Sequence, residues 1–375
     1  MSIVRLLSLD SSTWGELARL YPANASAQHL LGLLQEGGWT PFLTHHHLEE
    51  IFGHQDDELV KKRSELLGSL KFVCYIRSHR PGVPVGDIIT LQIREIETAL
   101  SSPNASLQEI VDRTTSKVVS VFSSGRDLME NGREFFELWR NFHEGQMQRR
   151  AMVAGLTHFE YADRNKKLPG PSELVIVRPL DEAQPELQGL RTFLEDNMSR
   201  YGDKRLDPQQ ALSTFSRLME ATRNRFPAGP GVISVAQVLR GLGLEYSELP
   251  PNPTQGDFLD EIEFQSQCRL LEEAACWPTH ALRGRIRQNQ LPSRMIIREI
   301  ERVSKGQGKA FASNFNDVFI AAFSPYVQRI EVDKRTLEFG KRAARNSPFL
   351  CTVQAKMFRK RGLPALAREL ERADV

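Results

Sequence analysis

The stretch Ile3-Val4-Arg5-Leu6-Leu7-Ser8-Leu9-Asp10 is a short apolar run that ends on a carboxylate. Bounded by polar residues, a run of this length reads as a buried strand. Two later stretches read the same way, Trp39-Thr40-Pro41-Phe42-Leu43 and Phe72-Val73-Cys74-Tyr75-Ile76. Helical sequence separates them. The first such segment lies within 12–34, with a break expected at Pro22, and Gly37-Gly38 close it. The second runs over about 48–67, with a weak point at Gly53-His54. The order βαβαβ predicts a parallel sheet covered by helices. Functional groups of such sheets gather beyond the carboxyl ends of the strands, and Asp10 stands at such an end.

Three more acids occupy comparable places. Glu50 lies early in a helix opened by Thr44, just after the second strand. Asp317 heads the helical run Asp317-Val318-Phe319-Ile320-Ala321-Ala322-Phe323, and Asp333 ends Val327-Gln328-Arg329-Ile330-Glu331-Val332. Four carboxylates meeting at one sheet edge repel one another unless a divalent cation holds them. That chemistry points to a metal-dependent phosphodiesterase. Each acid also has a plain structural reading: Asp10 as a strand-end or N-cap residue, and Asp317 as the N-cap of its helix. Glu49 competes with Glu50 for the second position. Glu50 is preferred because it is followed directly by the apolar Ile51.

Composition bounds the remaining choices. The chain has 375 residues, 40% hydrophobic and 26% charged, as in ordinary globular proteins. No apolar run is long enough to span a bilayer, and the N-terminus does not read as a signal peptide. Cys74, Cys268, Cys276 and Cys351 are scattered with no CxxC pair, which predicts reduced thiols and a cytoplasmic location. The net charge of +2 conceals blocks. Residues 245–273 hold eight acids against Arg269 alone. Residues 281–310 hold eight Lys/Arg against Glu299 and Glu301, and residues 334–361 hold nine against Glu338. The basic blocks suit either nucleic-acid phosphates or an internal match to the acidic stretch.

The middle of the chain is mainly helical. Helices are expected over 107–122 and 127–152, a strand at Leu174-Val175-Ile176-Val177, and an acidic amphipathic helix over 257–275. Residues 293–303 read as a basic helix. The predicted division is therefore an α/β domain in two pieces, 1–100 and 291–346, a helical insertion over 101–290, and a basic tail or helix over 347–375.

The run Ser313-Asn314-Phe315-Asn316-Asp317, then Ser324-Pro325-Tyr326-Val327, then Val332-Asp333-Lys334-Arg335 resembles the C-terminal signature of PIN-like ribonuclease domains of the PIN/flap-nuclease superfamily. Leu9-Asp10-Ser11-Ser12 is similar to that family's first strand and acid, and Leu48-Glu49-Glu50-Ile51 to its second acidic position. The likeness covers about the first hundred residues and those from about 290 to 346. Gln328 and Ser324 depart from the pattern, Gln328 standing where relatives often carry another acid. The resemblance implies a three-layer αβα parallel-sheet fold and a Mg²⁺- or Mn²⁺-dependent endoribonuclease, with Asp10, Glu50, Asp317 and Asp333 as ligands. It implies that Ser11, Ser12, Asn314 and Asn316 position a water or phosphate, and that Lys334, Arg294, Arg298 and Arg302 hold an RNA backbone. The insertion would then select a target or a regulatory protein. A toxin or phage-defence role is compatible with it, as are flap-type DNA cleavage and a PIN-like module that binds RNA or protein without cutting.

Other groups carry weaker signals. His45-His46-His47 invites a zinc reading, but no HExxH or paired cysteines accompany it, and a polar helix start is the simpler account. Phe135, Phe136, Trp139 and Phe142, near Arg133 and Arg140, offer base stacking but stand at helical spacing, as core residues do. Pro227-Ala228-Gly229-Pro230-Gly231 lacks the Lys-Ser/Thr of a phosphate loop.

Overall fold

The computed structural model describes residues 5–36, 38–54, 56–118, 121–137, 165–177, 231–241, 244–304, 313–359 and 362–372, with isolated positions between them. Its main sheet has six strands: β1 Arg5–Ser8, β2 Trp39–Leu43, β3 Val73–Tyr75, β4 Val121–Ser123, β7 Arg329–Glu331 and β8 Met357–Phe358. Their order is β4-β3-β2-β1-β7-β8. Five strands run parallel, and β4 lies antiparallel on β3 at the edge. The two remaining strands, β5 Leu174–Val177 and β6 Gly231–Ser234, form a separate antiparallel ribbon.

Both faces of the main sheet are covered, so successive strand residues enter different cores. Leu7, Trp39, Leu43, Val73, Tyr75 and Phe358 pack on one side, against the helices Ser11–Leu20, Ala25–Gln35, His45–Phe52, Asp57–Gly68 and Leu363–Arg372. Leu6, Phe42, Cys74, Ile330 and Met357 pack on the other, against Ile88–Ser101, Pro292–Ser304, Ser313–Ala321, Lys334–Ala343 and Pro348–Lys356. The period-two alternation of side chains along each strand makes this three-layer arrangement. A further apolar cluster, including Ile93, Ile96, Phe264 and Leu271, joins the long helix Gln255–Ala274 to the outer side of Ile88–Ser101.

Several expectations are met with shifted limits. The helix break at Pro22 divides Ser11–Leu20 from Ala25–Gln35, and Gly53 caps His45–Phe52. The segment 107–122 splits into the helix Leu107–Val118 and strand β4. The sheet itself passes both expected boundaries, since β4 adds a strand after residue 100 and β8 adds one after residue 346. Of the two alternatives for the C-terminal segment, the described residues form helices, and Leu363, Leu366 and Leu370 are core residues in one cluster with Leu30 and Leu34. Leu370→Val is accordingly expected to lower global stability by about 1 kcal/mol, the cost of one buried methylene. Urea unfolding that left the midpoint unmoved would make this helix an appendage.

All four cysteines are free thiols. Among the described residues, no helix is long and apolar enough to cross a membrane.

Candidate active site

β1 is the switch point of the sheet: β2 lies on one side of it and β7 on the other. Its carboxyl end opens beside that of β7, where an α/β sheet places its ligands. Asp10 and Asp333 follow these two strands. Both are N-caps as well: an Asp10 oxygen accepts from the Ser12 N–H at 2.7 Å, and an Asp333 oxygen from the Thr336 N–H at 2.6 Å. The second oxygen of each carries no hydrogen bond among the described residues. The capping account of Asp10 is therefore correct without competing with a functional one.

Glu50 reaches the same place from the helix after β2. Ser11 Oγ donates to one of its oxygens, and Asn316 Nδ2 donates to the other at 3.1 Å. Burial raises its pKa, Ser11 and Asn316 oppose that rise, and the charges of Asp10 and Glu49 add to it. Glu49 is buried, 3.5 Å from His46. The structure thus brings Glu50 to the cluster in preference to Glu49. The helix carrying Glu50 is braced by Arg63, whose guanidinium donates to the Glu50 carbonyl at 3.4 Å. Gly15 leaves room for that guanidinium, since a Cβ there would lie 2.4 Å from Arg63 Nη2 and make it shift.

The plain structural reading of Asp317 was an N-cap. The helix begins four residues earlier, at Ser313, so Asp317 lies inside it and has no capping role. Among the described residues its carboxylate makes no hydrogen bond. Burial, then the charges of Glu50, Asp333 and Asp10, push its pKa up to about 8, with only Arg335 pulling the other way. Asp317 is thus the acid at which the charges of Glu50, Asp333 and Asp10 are felt together.

A fifth carboxylate was missed. Glu331, in β7, is 1% exposed. It accepts from the Asp10 N–H at 3.1 Å and from Thr13 Oγ1 at 2.9 Å, tying the start of the first helix to β7. Its sequence signal was the covered sheet itself: in a strand buried on both faces, a Glu between Ile330 and Val332 must meet polar partners inside.

The remaining candidates separate. Ser12 is exposed at the helix start, and Lys334 is exposed directly after Asp333. Asn314 lies in the first turn of its helix, and its side chain is outside the described residues, as are Trp139, Arg140 and Phe142 and the segment 227–230. Arg294 and Arg298 do not face the acids. Arg294 is 2.7 Å from Glu263 and Arg298 is 3.1 Å from Asp260, so both clamp their helix to Gln255–Ala274. Arg302 likewise meets Glu299 at 2.9 Å. Phe136 stacks on Phe52 with centroids 4.3 Å apart, in the core.

The three histidines diverge. His47 is buried, with Nδ1 3.0 Å from the Thr44 N–H and Nε2 3.2 Å from Ser8 Oγ, and burial lowers its pKa to about 3. His46 packs on the Phe319 ring at 5.2 Å, and His45 on that of Phe135 at 5.7 Å. Among the described residues, no three His, Cys, Asp or Glu side chains are drawn together tightly enough to hold a metal ion. The acidic cluster nevertheless fits a hard divalent cation in its donor chemistry. It offers only oxygens, and the Asp317 carboxylate accepts no hydrogen bond among the described residues. Comparison with protein-family models, with characterised proteins and with solved structures finds no match in any of the three.

Proposed function

We propose that this chain is a PIN-like, Mg²⁺- or Mn²⁺-dependent nuclease, an endoribonuclease, that hydrolyses phosphodiester bonds at the acidic cluster. The observation that carries this reading is the convergence of Asp10, Glu50, Asp317 and Asp333, from distant parts of the chain, on the carboxyl edge of the sheet between β1 and β7. Capping accounts for one oxygen of Asp10 and one of Asp333, but no capping or hydrogen-bonding role among the described residues accounts for Asp317 beside them.

Asp10, Glu50, Asp317 and Asp333 would hold the cation, which when bound supplies a water of lowered pKa and neutralises charge on the phosphate. The chain's own residues do the positioning. Ser11 and Asn316 fix both oxygens of Glu50. Glu331 and Thr13 fix the backbone at Asp10. The Thr336 N–H orients Asp333, and the exposed Lys334 stands where a phosphate enters.

One observation favours a rival, a PIN-like scaffold that binds RNA or a protein without cutting: the carboxylates are not drawn together as a closed metal centre. Asp10→Asn/Asp333→Asn separates the two readings cleanly. Asn caps a helix as well as Asp does, so the charges go while both caps stay. Wild type is expected to cut an RNA pool with Mg²⁺ or Mn²⁺ and not with EDTA, and the double variant to cut nothing. A matched single-stranded DNA tells RNA from DNA as substrate. A folded wild type that cuts neither under any condition sinks the nuclease reading.

A further inference from the structure

The two basic blocks of the sequence have different fates. In the first, Arg283, Arg294 and Arg298 pair with Glu248, Glu263 and Asp260, so this block is matched from within by the acidic stretch. The second is not. A groove of about 630 Å³ lies at the β8 edge, walled by the helices Lys334–Ala343 and Leu363–Arg372. It is lined by Lys334, Lys341, Arg359, Arg368 and Arg372, against Glu338 and Glu369. Both acids are engaged: Glu338 holds Lys341 at 2.9 Å, and Glu369 binds Arg329. Lys334, Arg359, Arg368 and Arg372 are exposed and have no acidic partner among the described residues.

We propose that this groove binds the phosphate backbone of a nucleic-acid strand and leads it to the acidic cluster. Three features carry the assignment. β1, β7 and β8 are parallel, so Asp10, Asp333-Lys334 and Arg359 all follow strand ends on one edge of the sheet. Lys334, Leu337, Glu338 and Lys341 form one helix face, and this face begins at the acidic site. From Lys334 to Lys341 the helix spans about 10 Å, the axial distance of roughly three phosphates of one strand. Four of the five cations, Lys334, Arg359, Arg368 and Arg372, make no ion pair among the described residues, and the three arginines can fork onto phosphate oxygens. The groove deepens the nuclease reading by giving its substrate a path, and it rests on that reading for direction only, since binding needs no cleavage.

The test is fluorescence anisotropy of labelled RNA, and of DNA of the same sequence, in EDTA over about 50–200 mM salt. Wild type is compared with Arg359→Glu/Arg368→Glu/Arg372→Glu and with the milder Arg359→Gln/Arg368→Gln/Arg372→Gln, each checked for folding by its thermal melt. Affinity is expected to fall at least tenfold in the Glu variant and less in the Gln variant. The slope of log K against log salt should flatten by about 2, from three lost contacts at about 0.7 each. Equal losses on both strands would show readout of the shared phosphates, and a larger loss on RNA would show selection for RNA. Unchanged affinity and slope in both variants overturn the groove, as does equal binding of a polyglutamate peptide, which would indicate an acidic protein partner. Asp10→Asn/Asp333→Asn is expected to bind at least as tightly as wild type in EDTA, since it removes two negative charges from the strand's path. Absent cleavage with intact groove binding thus removes the nuclease reading alone, and cleavage with wild-type affinity in the Glu variant removes the groove alone.

Discussion

Asp317→Asn is expected to abolish metal-dependent cleavage while making the metal-free protein more stable. The two effects have one cause. Asp317 is a half-buried carboxylate without a hydrogen-bond donor among the described residues, within reach of the charges of Glu50, Asp333 and Asp10. Removing a direct ligand from a phosphodiester site typically costs about 10³-fold or more in rate. Removing the charge also relieves the crowding. With the folded pKa pushed from 3.8 to about 8, the unfolded chain ionises first as pH rises. The native state therefore loses stability from about pH 4 upward, and the loss is complete only above about pH 8. Its full size is several kcal/mol at about 1.4 kcal/mol per unit. Asn carries none of it. Melting curves in EDTA should place the variant above wild type at pH 8 and level with it near pH 4, and added Mg²⁺ should close the gap by stabilising wild type alone. A variant that cuts normally, or melts lower than wild type at pH 8, would show that Asp317 serves the fold and not a cation.

Much of this site was legible in sequence because two physical signals coincide there. An apolar run that stops at an acid marks a strand's carboxyl end, and Asp10 and Asp333 follow β1 and β7 as that pattern requires. What sequence could not give is which face each neighbour takes. Glu49 and Glu50 are adjacent on one helix, and only the packing of that helix turns Glu50 to Asn316 and Glu49 to His46. Arg294 and Arg298 looked like phosphate ligands because charge blocks carry no partner information; their acids lie some thirty residues away, on a helix whose docking is tertiary. β4 and β8, three and two residues long, leave too short a run for any periodic signal, and so the sheet outgrew its expected boundaries at both ends. Glu331 was passed over as one polar residue in a strand. In a sheet covered on one face it would point to water, but here both faces are interior.

Glu95→Gln is expected to remove a pH dependence of stability worth about 3 kcal/mol. Glu95 is fully buried on the helix Ile88–Ser101 and joins three segments. Ser293 donates its N–H at 2.9 Å and its hydroxyl at 2.6 Å, and the Tyr326 hydroxyl donates at 2.7 Å. Burial raises the carboxyl from its usual 4.5 to about 7, and the donors from Ser293 and Tyr326 hold it from going higher. Below 4.5 the group is neutral in both states and costs nothing. Between 4.5 and 7 the unfolded chain ionises alone, so stability falls as pH rises, and above 7 the loss is complete. The difference of about 2.5 units (7 − 4.5) corresponds to roughly 3 kcal/mol. Gln keeps the acceptor oxygen and cannot ionise. Glu50 and Asp317 impose a slope of the same sign, so the quantity that isolates Glu95 is the gap between wild type and Glu95→Gln in urea unfolding, which should widen from pH 5 to pH 8. Parallel curves would mean that Glu95 keeps its ordinary pKa. The bond matters for the site because Tyr326 sits in the turn that leads into β7, the strand that carries Glu331 and delivers Asp333.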